Sequence, residues 1–348
     1  MRVLITHELY PPDIAGGGEH VVMHAAQGLR DLGMNVRVLT TGNPGLTTYQ
    51  GVETQRLRMS RYRFNLAVRK IAAAAHDADV IQTFTYHACL PSLAAARMLS
   101  KPVIMTCLGL FGEAWLQMRG QAMGRCWRAW ERFLMTRPYD RVVFLSEFSM
   151  ELGVAMGVAR SRALVDMPGV EMDLYKSGVE RQHKVLFVGK IDIRKGIDLL
   201  LAAAKALPEV QFQVVGWGAG IDGFRQEAPA NVEVLPFPAG DGLWLLYQRA
   251  SIFFFPSRAE TFGMAILQAM AGGCAIVSTI PLPYEGRAVQ SDDLNGMIDA
   301  IGSLWRDREK TVQMGARNME IASKFTWRRF CLQLAGVYDE VRGVKACH

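Results

Sequence analysis

The feature that most constrains this chain is an alternation of short β-branched runs with longer helical patterns, which breaks off near residue 170 and then starts again. A strand reads over 3–6, followed by the glycine loop Gly16-Gly17-Gly18. Beyond it Val21, Val22, Ala25, Ala26, Leu29 and Leu32 return at helical spacing, and Gly33 stops the helix. Further strands read over 36–39, 80–81, 103–106 and 142–145. Strand–helix–strand repetition calls for a parallel sheet with right-handed crossovers. The pattern breaks around Pro168-Gly169-Val170, and 175–184 reads as a polar connector. It resumes with strands over 185–188, 212–215, 232–235, 252–255 and 275–278, separated by helical patterns over 197–207, 242–249 and 263–271. An amphipathic tail over 326–341 follows.

The expected architecture is therefore α/β, with two Rossmann-like, doubly wound domains facing a central cleft. The first is expected over 1–178 and the second over 179–325, with a terminal helix in 326–348 crossing back. A length of 348 residues, half of them apolar, suits two such cores. No apolar run approaches the roughly 20 residues of a membrane-spanning helix. Met1-Arg2 runs straight into a strand, so no signal peptide is expected and the chain is placed on the cytoplasmic side. The cysteines Cys89, Cys107, Cys126, Cys274, Cys331 and Cys347 are scattered without C-x-x-C spacing, which points to reduced thiols and to no metal site. The net charge of +6 leans toward anionic partners.

Four segments carry chemistry. In Pro11-Pro12-Asp13-Ile14-Ala15-Gly16-Gly17-Gly18, glycines at a helix start bare their N–H groups to a phosphate or sugar, or else form a plain turn. In Phe187-Val188-Gly189-Lys190-Ile191-Asp192-Ile193-Arg194-Lys195-Gly196, Lys190 and Lys195 lie just beyond a strand's carboxyl end. There they suit a diphosphate whose charge grows as it leaves. In Pro256-Ser257-Arg258-Ala259-Glu260-Thr261-Phe262-Gly263-Met264, a carboxylate for sugar hydroxyls precedes a helix start, and Gln268 follows about two turns on. His87, in Thr85-Tyr86-His87, is either an acceptor contact or a structural loop histidine. The glycines of Val214-Val215-Gly216-Trp217-Gly218-Ala219-Gly220 imitate a dinucleotide fingerprint, but no acidic residue is cleanly placed after a second strand. Backbone lining a nucleotide pocket, or a turn, fits better.

In this order the segments resemble the family 4 glycosyltransferases of GT-B fold over roughly residues 1–340. Gly17 and Gly18 are similar to the family's N-terminal loop. Residues 187–198 resemble its F-V-G-R…K-G-x-D stretch, and 256–273 its P-S…E-x-F-G…E-A-M-A-x-G. The resemblance implies a metal-independent, retaining hexosyltransferase using a UDP- or GDP-linked donor and no cofactor, in polysaccharide or glycoconjugate synthesis. It implies that Lys190 and Lys195 hold the diphosphate and that Glu260 meets donor-sugar hydroxyls. The amides of Phe262, Gly263 and Met264 would support both, with Gln268 at the ribose. Gln268 replaces the family's second glutamate, and Lys190 its arginine, giving up a bidentate fork. Leu108-Gly109 stands at a His-Gly position, and Gln82 and Phe84 at a histidine pair. That leaves His87, Glu113 or the donor phosphate to take the acceptor's proton.

Basic segments over 56–70 and 119–137 interleave arginines with Tyr62, Phe64, Trp127, Trp130 and Phe133. They read as a face for an anionic membrane surface and a lipid-linked or phosphorylated acceptor, or as ordinary amphipathic helices. The rival function is a non-catalytic nucleotide-sugar-binding protein of the same fold. An epimerase lacks acids and bases around the sugar, a phosphorylase needs a longer chain, and no nucleic-acid module accompanies the charge.

Overall fold

Uninterrupted runs of Val, Ile, Leu and Phe make strands covered on both faces, as a parallel sheet flanked by helices requires. The structure is a computed structural model describing residues 1–14, 16–238, 240, 242–260 and 262–346, apart from the side chains of 344–346. Ala15 of the glycine loop, Thr261 of the Glu260 motif and Cys347 lie outside the described residues. The chain divides into two units, one of residues 1–169 with 326–348 and one of 170–325. The sequence places that division at 178/179.

The first unit contains β1 (Arg2–Thr6), α1 (Gly18–Asp31), β2 (Asn35–Thr41), β3 (Thr48–Tyr49), β4 (Val52–Leu57) and α2 (Val68–Ala75). It continues with β5 (Val80–Phe84), α3 (Cys89–Met98), β6 (Val103–Cys107), α4 (Ala114–Arg119), α5 (Gln121–Met135), β7 (Arg141–Phe144), α6 (Glu147–Ala155) and β8 (Ala163–Val165). The sheet runs β3-β4-β2-β1-β5-β6-β7-β8, parallel except for the β3–β4 hairpin. The order reverses between β1 and β5, which pair directly through Val3↔Val80.

The second unit contains β9 (Val185–Lys190), α7 (Ile197–Ala206), β10 (Phe212–Trp217), α8 (Ile221–Glu227), β11 (Val232–Leu235) and α9 (Gly242–Arg249). After these come β12 (Ile252–Phe255), α10 (Met264–Ala271), β13 (Ala275–Ser278), β14 (Gly286–Ala288), α11 (Leu294–Arg306) and α12 (Arg308–Ala322). Its sheet is fully parallel in the order β11-β10-β9-β12-β13-β14, the Rossmann order, reversing between β9 and β12.

Helix α13 (Trp327–Ala346) returns to the first unit. Phe330, Leu334 and Tyr338 on it are fully buried. Its approach to α1 is so close that a Cβ on Gly28 would collide with Cys331 Sγ. Trp327 stacks on His24 of α1 with ring centroids 4.3 Å apart. The Tyr338 hydroxyl donates to Gln82 Oε1 at 3.0 Å. Gln82 Nε2 in turn donates to Thr106 Oγ1, so this side chain is a buried tie between β5, β6 and α13.

The first basic segment differs from its expected form. Arg56 is not a surface residue: its side chain is buried, donating to Tyr10 O at 3.1 Å and to Pro11 O. It therefore shapes the loop leading to the glycines. Phe64 is core, whereas Tyr62 and Leu66 are exposed beside Arg58, Arg63, Arg69 and Lys70. The second segment is mostly helix α5, separated by Gly120 from α4, with Trp127 stacked on the buried Trp115 of α4. No helix among the described residues is long and apolar enough to cross a membrane.

Candidate functional site

Open parallel sheets bind ligands beyond the carboxyl ends of their strands, where the strand order reverses. In the second unit that point lies between β9 and β12, and the loops following both carry the charged residues singled out above. After β9 a single turn over Ile193–Lys195 is opened by Asp192, whose Oδ1 accepts from the Lys195 N–H at 3.2 Å. Gly196 follows at φ +71°, with the Pro256 carbonyl where a Cβ would stand. That close crossing sets Lys195 Nζ on Glu260 Oε1, although 65 residues separate the two. Arg194 Nη1 lies 3.3 Å from the same oxygen and donates to Ala259 O at 3.0 Å. Arg258 clamps the crossing from outside, bonding Asp198, Asp292 and Ile193 O.

The Lys195 and Glu260 side chains are each 14% exposed. Burial, and then the Arg194 charge, pull the Lys195 pKa down to about 7. The Asp192 charge opposes that pull. Lys195 Nζ also lies 5.1 Å from the centre of the Phe255 ring. Gly263, at φ +79°, opens α10, whose N-terminus carries the partial positive charge of the helix dipole. Phe262 before it is buried and Met264 half-buried. On α10 the Tyr247 hydroxyl donates to Gln268 Oε1 at 3.2 Å, which leaves Nε2 as the end without a partner among the described residues.

On the other side of β9, Gly189 and Lys190 pair in register with Gly216 and Trp217 of β10. Gly216 lies against the Ile191 side chain, and the exposed Lys190 runs its stem along Gly218. Gly189, Lys190, Lys195, Gly216, Glu260, Phe262, Gly263, Met264 and Gln268 thus gather at one sheet edge and the helix leaving it. Gly17, Gly18 and His87 belong to the first unit.

In that unit Gly18 opens α1, and the Gly16 N–H donates to Glu19 Oε2 at 2.9 Å. The order reversal between β1 and β5 is flanked by His7-Glu8 after β1 and His87 after β5. Glu8 is 5% exposed, its Oε2 lacks a hydrogen-bond partner among the described residues, and His7 Nε2 lies 3.7 Å away. Asn65 Nδ2 donates to His87 Nδ1 at 2.8 Å, which places the His87 proton on Nε2. Burial holds the His87 pKa below its usual value, with Glu8 opposing and Arg61 and His7 adding to the effect. Glu131 of α5 accepts from the Phe111 and Gly112 amides and from the Tyr86 hydroxyl, fixing the loop after β6. Glu113 pairs instead with Arg128 on the surface.

The family model described as Glycosyltransferase Family 4 matches residues 15–174, and that described as Glycosyl transferases group 1 matches 182–307. The chain belongs to the family 4 glycosyltransferases. This glycosyltransferase is 24% identical over 360 residues to an uncharacterised glycosyltransferase of Methanocaldococcus jannaschii, covering 98% of this chain and 99% of that one. It is 26% identical to the phosphatidyl-myo-inositol mannosyltransferase of Mycolicibacterium smegmatis, covering 96% and 92%. To the D-inositol 3-phosphate glycosyltransferase of Corynebacterium urealyticum it is 27% identical, spanning about half of each chain (51% of both). Among solved structures it resembles the sucrose-phosphate synthase of Thermosynechococcus elongatus, with a TM-score of 0.81, 18% identity and 99% coverage of both chains. It also resembles Anabaena HepE in complex with UDP-glucose, with a TM-score of 0.77, 19% identity and coverage of 98% and 100%. The glycosyltransferase has the GT-B fold.

Sequence reasoning assigned no role to Arg194, Arg258, Glu8, Asn65 or Glu131. Arg194 and Arg258 stand inside quoted motifs, where their strand-end positions are the available signal. The other three meet their partners only through the fold.

Proposed function

We propose that this glycosyltransferase moves a hexose from a UDP- or GDP-linked donor to a glycan or lipid-linked acceptor, without a metal and with retention at the anomeric carbon. The contact of Lys195 with Glu260 at the order reversal of the second sheet carries this reading. A diphosphate there draws Lys195 to itself beside Lys190, and Glu260, still held by Arg194, turns to the hydroxyls of the donor sugar. Gln268 Nε2 meets the ribose. The bond from the anomeric carbon to the diphosphate oxygen breaks as both lysines take up the growing charge. The acceptor oxygen bonds the same face, and its proton passes to the leaving phosphate oxygen.

The first unit, with the loop of Gly17 and Gly18, is the acceptor side. There His87, neutral and tied through Nδ1, offers Nε2–H to an acceptor hydroxyl. The named relatives at HepE and at the phosphatidyl-inositol mannosyltransferase favour a UDP-type donor and a lipid-linked acceptor respectively. The exposed Tyr62, Leu66 and Phe133 with their arginines rest on the anionic inner face of the membrane, a reading that sedimentation with anionic vesicles tests directly.

Calorimetric titration with UDP, GDP and ADP tests the donor site. One of them binds, and Lys195→Ala weakens it roughly 10- to 100-fold, the value of a charge-assisted hydrogen bond. Failure of all three to bind sinks the reading. Proton NMR of the first-formed product then reports the anomeric configuration.

A further inference from the structure

The donor reading leaves a polar corner of the first unit unexplained, at the order reversal between β1 and β5. Two buried atoms of oppositely charged side chains stand there without a hydrogen-bond partner among the described residues, Glu8 Oε2 and Arg61 Nε. Glu8 is 5% exposed, and the Thr41 hydroxyl donates to its backbone carbonyl at 2.6 Å, fixing the point from which the carboxylate departs. Burial is the main influence on the charge of His87, and Glu8 and Arg61 follow with opposite sign, which sets all three side chains in one neighbourhood. A buried polar atom with no partner costs free energy, and two in one corner call for a ligand that satisfies both.

A short 3₁₀ helix over Arg61–Leu66 borders this corner. Asn65 ties it to His87, its Nδ2 donating to Tyr62 O at 3.0 Å and to His87 Nδ1 at 2.8 Å. Both amide hydrogens are thereby used, and His87 is left with Nε2–H to give. Tyr62 is 66% exposed and meets the His87 ring at its edge, with centroids 5.3 Å apart and planes at 79°. The Arg61 guanidinium lies 5.4 Å from the centre of the same phenol ring. Most of that ring therefore faces outward, beside one free donor and two buried groups that lack partners.

We propose that this corner holds the reacting end of the acceptor, and that this end is a neutral sugar ring lying on Tyr62 with its hydroxyls on Glu8, Arg61 and His87. The inference rests on the first unit being the acceptor side, and it narrows the acceptor's class. A hydroxyl both donates and accepts, so neighbouring hydroxyls can give to Glu8 Oε2 and take from Arg61 Nε and His87 Nε2–H. The apolar face of such a ring suits an exposed phenol, which offers a wide apolar surface at little cost in order. A phosphate fits badly. It would set its negative charge against a carboxylate that, being buried, is little screened by water and salt. The phosphates of a lipid-linked acceptor belong farther out, by the exposed Arg58 and Arg63.

Saturation-transfer NMR on the full chain, without nucleotide, tests this with the methyl glycosides of glucose, galactose, mannose and N-acetylglucosamine and with their 6-phosphates. At least one neutral glycoside binds, and more tightly than its own 6-phosphate. Tyr62→Ala weakens it roughly 3- to 10-fold, and Tyr62→Phe keeps it within about twofold of the parent. Glu8→Gln weakens the neutral ring roughly 5- to 20-fold and narrows its lead over the 6-phosphate. Tyr62 is exposed, so its variants fold and carry the test even where Glu8→Gln does not. Binding by none of the neutral glycosides overturns the inference. So does a 6-phosphate that binds the parent more tightly than its neutral partner, or a Tyr62→Ala variant that binds as the parent does. Nucleotide titration keeps the two readings apart. If Lys195→Ala leaves nucleotide affinity unchanged, the donor reading fails while the glycoside result stands; if affinity falls and no glycoside binds, the neutral-ring inference fails alone.

Discussion

At Gly196 the backbone takes a left-handed conformation, and the Pro256 carbonyl occupies the place of a Cβ. Both facts forbid a side chain, and both follow from passing one loop under another so that Lys195 reaches Glu260. Gly196→Ala must strain the backbone and push the 256–260 loop outward. We expect a loss of roughly 2–4 kcal/mol in stability, read by thermal unfolding, and at least a tenfold loss of nucleotide affinity. Gly223→Ala on α8 has nothing within 4 Å of the added carbon. It should be neutral or slightly stabilising, so an equal effect of both changes would refute the argument. Lys195 and Glu260 of this crossing are legible in the sequence because charge beyond a strand end is conspicuous there, whereas the roles of Arg194 and Arg258 emerge only from the fold. Arg56 is not legible. It sits among exposed arginines, and only the inward side of β4 and the carbonyls of Tyr10 and Pro11 make it a buried brace.

At the scale of elements, strand β8 ends where α13 covers the sheet, and Asp166 is trapped there with no exposed surface. Neither carboxylate oxygen has a hydrogen-bond partner among the described residues, though Arg329 of α13 approaches Oδ1 at 3.6 Å. Burial pushes the Asp166 pKa up to about 8, against the pull of Arg329. A raised carboxyl pKa means the folded chain holds a proton that the unfolded chain has released. Stability therefore falls as pH rises from about 4, the unfolded value, through about 8. Across melting curves between pH 5 and 8.5, Asp166→Asn should remove this slope. Its stability relative to the parent should rise by roughly 4 kcal/mol between pH 5 and pH 8.5. Parallel curves for the two proteins would rule the mechanism out. The central strands are readable from their apolar runs, but β8 and β14 are three-residue edge strands with no such run, and β4 hides Thr54 and Arg56 on its inward face.

At the scale of the molecule, the chain leaves the first unit at Gly169 and comes back to it at Thr326. The amphipathic tail is legible as a helix, and its return follows from the need to bury Phe330, Leu334 and Tyr338. The close fit of Gly28 to Cys331 and the hydrogen bond from Tyr338 to Gln82 are not legible, since each joins residues hundreds of positions apart. Helix α13 thus completes the core of a unit made almost wholly of the first half of the chain. Phe330→Ala, which empties a fully buried site on α13, should cost the first unit about 3–5 kcal/mol. The loops proposed for the donor belong to the other unit. Calorimetry should show an earlier melting transition for Phe330→Ala, while its nucleoside diphosphate affinity stays within twofold of the parent. If affinity drops in step with stability, the units fold as one cooperative body and donor binding is coupled to the fit of the terminal helix.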